Sequence, residues 1–176
     1  MELRFVAPDL RAIDGLRCEA IALPFFQDER PLRGAAGLID WRLCGRLSKL
    51  LVRGRVRGSR GERVLVPARP RLACDKLFLF GLGPRAQFDE TTFVAAIADV
   101  LDTLEGVRAR TAVLALPGRS LDALPPERAI ELFLAAARDR TEHDEMTLIE
   151  APEAQRVMTP VLERARRKAR ALEGGA

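Results

Sequence analysis

Residues 75–83, Asp75-Lys76-Leu77-Phe78-Leu79-Phe80-Gly81-Leu82-Gly83, frame the reading of the whole chain. Lys76 to Phe80 reads as a strand, and Leu77-Phe78-Leu79-Phe80 within it is apolar without alternation, which predicts a central strand covered on both faces. Gly81-Leu82-Gly83 stops it. Downstream, Asp89-Glu90-Thr91 is a polar, acidic helix start that suits the positive end of a helix dipole. The helix behind it presents Phe93, Ile97, Val100, Leu101 and Leu104 at core spacing. Ala112 to Leu116 is another continuous strand, stopped by Pro117-Gly118, and Pro125-Pro126 opens a helix carrying Ile130, Phe133, Leu134 and Ala137. Met146 to Ile149 is a short last strand. Thr159-Pro160 reads as the N-cap and first residue of a terminal basic helix, at about 160–172, ended by Gly174-Gly175.

Upstream of the framing stretch, Arg63 to Ala68 reads as a strand and Arg53 to Glu62 as a glycine-punctuated basic loop. Leu38 to Val52 reads as one helix, with Ile39, Leu43, Leu47, Leu50 and Leu51 on one stripe. Leu3 to Val6 and Glu19 to Leu23 read as strands. Strands alternating with helices define an α/β domain. The 176 residues fit one domain, without internal repeat or long linker. A chain of this length buries roughly 70% of its unfolded surface and needs no disulfide or metal to fold.

Composition excludes several classes. With 48% hydrophobic and 31% charged residues the chain is neither disordered nor fibrous. No apolar run approaches the roughly 20 residues of a membrane span, and Met1-Glu2-Leu3-Arg4 begins no signal peptide, so a cytoplasmic location is expected. Cys18, Cys44 and Cys74 form no metal-binding or paired spacing and are expected as small core residues. The 29 Lys and Arg exceed the 25 Asp and Glu by a formal +4, which permits nucleic-acid binding without indicating it.

From about Leu10 to Arg170 the sequence resembles the N-terminal domain of cytosolic leucyl aminopeptidases. The stretch Leu32-Arg33-Gly34-Ala35-Ala36-Gly37-Leu38-Ile39-Asp40 and the framing stretch 75–83 carry the resemblance, together with the order of elements. It implies a three-layer α/β/α fold with a mixed, mostly parallel sheet, macro-domain-like. In that family the peptidase chemistry resides in a C-terminal domain, where a lysine and several carboxylates hold two metal ions around an NTDAEGRL signature. Nothing like that signature occurs in these residues, which contain no Asn. His143, the single histidine, is expected to be an exposed loop residue, since one His without spaced partners makes no metal site. Ser48, Ser59 and Ser120 have no base partner or nucleophile-elbow context. No catalytic residue, metal ligand or cofactor is assigned. The leading expectation is a non-catalytic binding or assembly module acting through a protein partner or self-association.

The fold implied is similar to that of macro domains, which bind ADP-ribose. That similarity places Asp9 at the adenine-holding aspartate, Gly34-Ala35-Ala36-Gly37 at the first phosphate loop and Gly81-Leu82-Gly83 at the second. Small residues and a helix N-terminus suit a diphosphate in principle. Against it, Pro24-Phe25-Phe26-Gln27 replaces the Asn-containing segment of the macro hydrolases, and Asp40, near the helix start, would repel the ligand. Inherited turn geometry is the plainer reading.

Arg53, Arg55, Arg57, Arg60 and Arg63, joined by Arg164, Arg166, Arg167, Lys168 and Arg170, are a candidate nucleic-acid patch. Neither cluster contains an aromatic residue for base stacking. A solvated basic face is the simpler account. Trp41, one turn inside its helix, is expected in core or interface packing. Phe25-Phe26 fits either an exposed interface pair or burial under the following loop.

Overall fold

Leu77 and Leu79 point to one side of a strand and Phe78 and Phe80 to the other, and all four are buried. The computed structural model describes residues 2–140 and 142–173. In chain order the elements are β1 (Glu2–Val6), α1 (Leu10–Gly15), β2 (Cys18–Phe25), α2 (Gly34–Arg42), α3 (Arg46–Val52), β3 (Arg63–Pro67), β4 (Cys74–Gly81), α4 (Glu90–Gly106), β5 (Thr111–Leu114), α5 (Pro126–Ala137), β6 (Glu145–Ile149) and α6 (Pro152–Glu173). Short 3₁₀ turns occupy Arg85–Gln87 and Arg119–Leu121.

The six strands form one sheet in the order β1-β6-β5-β2-β4-β3. All neighbours are parallel except β3, which pairs antiparallel with β4 at one edge. Alternation along each strand divides the core into two layers. Ala20, Ala22, Phe78, Phe80, Ala112, Leu114, Met146 and Leu148 meet α4, α5 and α6 on one face. Ile21, Leu23, Phe25, Leu77, Leu79 and Val113 meet α1, α2 and α3 on the other. The architecture is therefore three-layered, α/β/α.

The single helix expected over Leu38 to Val52 is two helices. Cys44 (φ 56°) and Gly45 (φ 72°) take the left-handed conformation after α2. The Gly45 amide donates to the Asp40 carbonyl at 2.8 Å and the Cys44 amide to the Trp41 carbonyl at 3.0 Å, the pattern of a Schellman stop. Asp40 then starts the next helix. Its carboxylate accepts from the amides of Leu47 (2.7 Å) and Ser48 (3.2 Å) and from the Ser48 hydroxyl. The charge expected to repel a ligand at the start of α2 instead caps α3, seven and eight residues further on. Asp40→Ala orphans buried donors, so a loss of about 2 kcal/mol is expected, read as a lower urea midpoint at unchanged slope.

The helix expected at about 160–172 begins earlier, at Pro152. Pro152 serves as the opening residue that Pro160 was expected to be, because Glu150 ends the strand pairing and leaves Ala151 to turn the chain. Thr159 lies mid-helix, its hydroxyl donating to the Gln155 carbonyl at 2.7 Å. Met158, Val161 and Leu162 reach the core, whereas residues 166–171 are exposed. Gly174-Gly175 lies outside the described residues.

Two further expectations are corrected, and that of Trp41 in core or interface packing is narrowed by an exposure that excludes the core. His143 is buried, not an exposed loop residue: its Nδ1 lies 2.7 Å from the Ala109 carbonyl, which fixes the ring inside the fold. Cys44 is exposed because the left-handed turn carries it off the apolar stripe, while Cys74 is buried and Cys18 half-buried. Trp41 is 65% exposed, since Ala35, Ala36, Ile39 and Leu43 take the inward positions of α2 and its C-terminus. Phe25 and Phe26 are both buried, the second against Phe88 with ring centroids 5.1 Å apart.

Candidate functional site

β2 and β5 are adjacent parallel strands whose following helices, α2 and α5, lie on opposite faces of the sheet. The crevice outside the carboxyl ends of such a pair is where open α/β sheets bind ligands. Two segments flank it: 26–33, after β2, and 115–125, after β5. They approach each other where a Cβ on Gly34 would lie 3.2 Å from Ser120 Cβ.

The first segment brings the buried carboxylate of Glu29 to this end of the sheet, and the second brings Arg119, which meets the buried Glu150 at the end of β6. Glu29 accepts from the amide of Phe26 at 3.2 Å and from that of Arg33, the N-cap residue of α2, at 2.9 Å. Donors that would suit an anion are thus occupied by the chain's own side chain. Burial raises the Glu29 pKa above the ordinary glutamate value, outweighing those hydrogen bonds. Across the crevice, the Arg119 guanidinium donates to the Leu124 carbonyl at 2.7 Å, to Asp122 at 3.1 Å and to Glu150 at 3.3 Å. Arg119 and Glu150 are 9% and 4% exposed at their side chains, so the pair is interior. Burial likewise raises the Glu150 pKa, against the attraction of Arg119.

The residues expected to hold a diphosphate are placed as follows. Gly34-Ala35-Ala36-Gly37 does open α2, and no side chain caps its first turn. Gly37, however, is small for packing: a Cβ there would lie 2.6 Å from the Leu32 carbonyl oxygen. Gly81, Leu82 and Gly83 are all buried. Their amides donate to the carbonyls of Glu62 (2.8 Å), Phe25 (3.0 Å) and Gly58 (2.8 Å), so none is left for a phosphate. Asp9 caps α1, accepting from the Ala12 amide at 2.8 Å. It follows β1, four strand positions from β4, or roughly 19 Å across the sheet. All three sites share the carboxyl end of the sheet, but only the start of α2 keeps unengaged donors.

The basic residues do not form one patch. Arg53 to Arg63 leads into β3 at one edge of the sheet, and the Arg166 guanidinium donates to the Leu3 carbonyl of β1 at the other. The intervening strands span roughly 24 Å. Arg63 pairs with Asp99, and Arg60 donates to the Gln87 carbonyl at 3.2 Å. Arg53, Arg55 and Arg57 remain exposed. Among the described residues no group of three or more His, Cys, Asp and Glu is placed to hold a metal ion, and no helix is long and apolar enough to cross a membrane.

The residues that reasoning from sequence missed are Glu29, Arg119 and Glu150. Each is a charged residue within a few positions of a strand end, which is the only signal the sequence offers.

Residues 22–145 match the model of the cytosol aminopeptidase family, N-terminal domain. A probable cytosol aminopeptidase of Thermosynechococcus vestitus is 29% identical over 142 residues, covering 80% of this chain and 28% of that protein. One from Pseudomonas fluorescens is 33% identical over 87 residues, 49% of this chain and 18% of that protein. The chain therefore spans about a quarter or less of the length of the curated relatives it matches. Among solved structures, an Oceanobacillus iheyensis macrodomain superposes with a TM-score of 0.71 at 12% identity, covering 94% of this chain and 93% of that one. A Trypanosoma brucei macrodomain in complex with ADP gives 0.67 at 13% identity, covering 89% and 67%. At these identities the likeness is one of fold.

Proposed function

Because the chain belongs to the cytosol aminopeptidase family through the family's N-terminal domain, we propose that it is a non-catalytic binding and assembly module. It acts in the cytoplasm through contacts with a protein partner or with further copies of itself. One observation supports this reading: at the carboxyl end of the sheet the chain's own Glu29 takes the amides of Phe26 and Arg33, and Arg119 is engaged by Glu150 and the Leu124 carbonyl. A fold whose polar side chains near the usual ligand position are engaged with one another has its outer surfaces left for recognition.

The test is hydrolysis of a leucyl anilide by the purified chain with added divalent metal. No turnover above the metal alone is expected; turnover abolished by substituting the chain's own carboxylates overturns the proposal. A second reading, nucleotide or ADP-ribose binding, is favoured by the uncapped first turn of α2 and by the ADP complex of a structural relative. Calorimetry with ADP-ribose separates the two. On the first reading no heat beyond dilution appears at about millimolar ligand, because Glu29 already holds the Phe26 and Arg33 amides and Glu150 already holds Arg119. Gly37→Glu is a poor probe here, since any side chain at that position collides with the Leu32 carbonyl. Nucleic-acid binding through Arg53, Arg55, Arg57, Arg60 and Arg63 predicts retardation of duplex DNA that weakens steeply with salt.

A further inference from the structure

Trp41 is the only tryptophan in the chain and lies on the outer side of α2. Exposed tryptophan beside arginine is the side-chain chemistry that dominates binding energy at protein interfaces. Two open cavities run along this side of the molecule. One, of about 610 Å³, is lined by Pro31, Leu32 and Trp41, and the other, of about 680 Å³, by Asp14 and Arg69; both include Arg42 and Arg71. They form one groove.

Its charge is uneven. Arg42 stacks on Trp41, 5.8 Å from the ring centroid, and pairs with Asp14. Arg69 pairs with Asp75 at 2.6 Å. Arg71, where the cavities meet, is exposed and makes no ion pair among the described residues. Asp40 also lines the groove, its carboxylate bonded to the amides that open α3, so three guanidinium groups face two lining carboxylates. An apolar floor, one free guanidinium and two held ones make a surface complementary to a peptide that joins an apolar side chain to carboxylates.

We propose that this groove docks an acidic segment of a partner protein, with an apolar side chain against Trp41, Pro31 and Leu32 and carboxylates facing Arg71. The inference rests on the binding-module reading. A second copy is a poorer occupant, because a chain of net charge +4 brings more positive charge to a positive groove. Single-stranded nucleic acid is poorer too, since successive bases need successive aromatic platforms and Trp41 is the one aromatic lining the groove.

The test selects a random-peptide display library on the full chain and then titrates the synthetic winners while following Trp41 emission. Peptides enriched in Asp and Glu around an apolar residue are expected to shift the emission to shorter wavelength. Arg71→Glu should weaken them by about tenfold or more, as should raised salt. Trp41→Ala, at an exposed position, should leave stability within about 0.5 kcal/mol while abolishing capture. Winners that bind Arg71→Glu and Trp41→Ala as well as the parent chain overturn the groove but leave the module reading standing. A selection yielding no binders overturns the groove and leaves the module reading to be decided by the chain's oligomeric state. Emission that moves with oligothymidylate but not with the peptides, or with protein concentration alone, overturns the acidic-peptide occupant in favour of nucleic acid or a second copy.

Discussion

Gly81→Val is expected to destabilise the chain by about 3 kcal/mol, lowering the melting temperature by roughly 6–12 °C. A Cβ on Gly81 would lie 2.1 Å from the Ser59 carbonyl oxygen and 2.6 Å from the Gly58 carbonyl carbon. Neither obstacle is the free end of a side chain; both are backbone of the loop leading into β3. That loop is fastened in both directions, the Gly81 amide donating to the Glu62 carbonyl and the Gly61 amide to the Gly81 carbonyl. Moving it aside breaks the ladder and uncovers Leu82. Gly106→Ala is the control. It ends α4 with nothing within 4 Å of the added Cβ, so helix propensity raises stability by about 0.5–1 kcal/mol. Thermal melts of the two variants in one buffer decide the matter. A Gly81 variant that melts with the parent would mean the loop is not held where it lies.

This close approach explains why the glycines at 81–83 look like a ligand loop in sequence but are not exposed as one. Glycine is required both where a phosphate meets the backbone and where another strand of backbone does. Sequence alone does not distinguish the visitors. The layers were legible because they rest on periodicity: Phe93, Ile97, Val100, Leu101 and Leu104 are all buried, as their spacing on α4 requires. So was the strand at 76–80, whose unbroken apolar run needs cover on both faces. The break between α2 and α3 was hidden. The stripe Ile39, Leu43, Leu47, Leu51 continues across it, so Gly45, left-handed together with Cys44 at the stop, stands inside an apparently unbroken helical pattern. His143 was misread because its polar neighbours suggested a solvated loop, whereas one carbonyl partner in a neighbouring segment suffices to bury an imidazole. The crevice was least legible of all. Arg119 acquires its role from Glu150, which it meets only because β5 and β6 lie side by side, and Glu29 acquires its role from the amides of Phe26 and Arg33 in a turn that no periodicity announces.

Arg119→Met tests that crevice most severely. The substitution keeps much of the side-chain volume but leaves Glu150 buried without its cation and the Leu124 carbonyl without its 2.7 Å donor. Breaking one side of an interior ion pair costs about 3–5 kcal/mol, and the cost should depend on pH. Burial holds the folded pKa of Glu150 above the ordinary glutamate value even with Arg119 present. Between the unfolded and the raised folded value, the folded state keeps a proton that the unfolded chain has released. Stability therefore falls as pH rises through that window. Glu29, also raised by burial, contributes in the same direction. Without Arg119 the Glu150 carboxyl is pushed further up and the window widens. In urea unfolding the penalty should be largest at high pH and should shrink toward the 1–2 kcal/mol or so of the lost hydrogen bond as pH falls and Glu150 takes up a proton. The double variant Arg119→Met, Glu150→Met, with no stranded charge, should recover most of the loss and flatten the pH difference. A penalty equal at high and low pH, or one the double variant fails to relieve, would show that Glu150 reaches solvent and that the crevice is open.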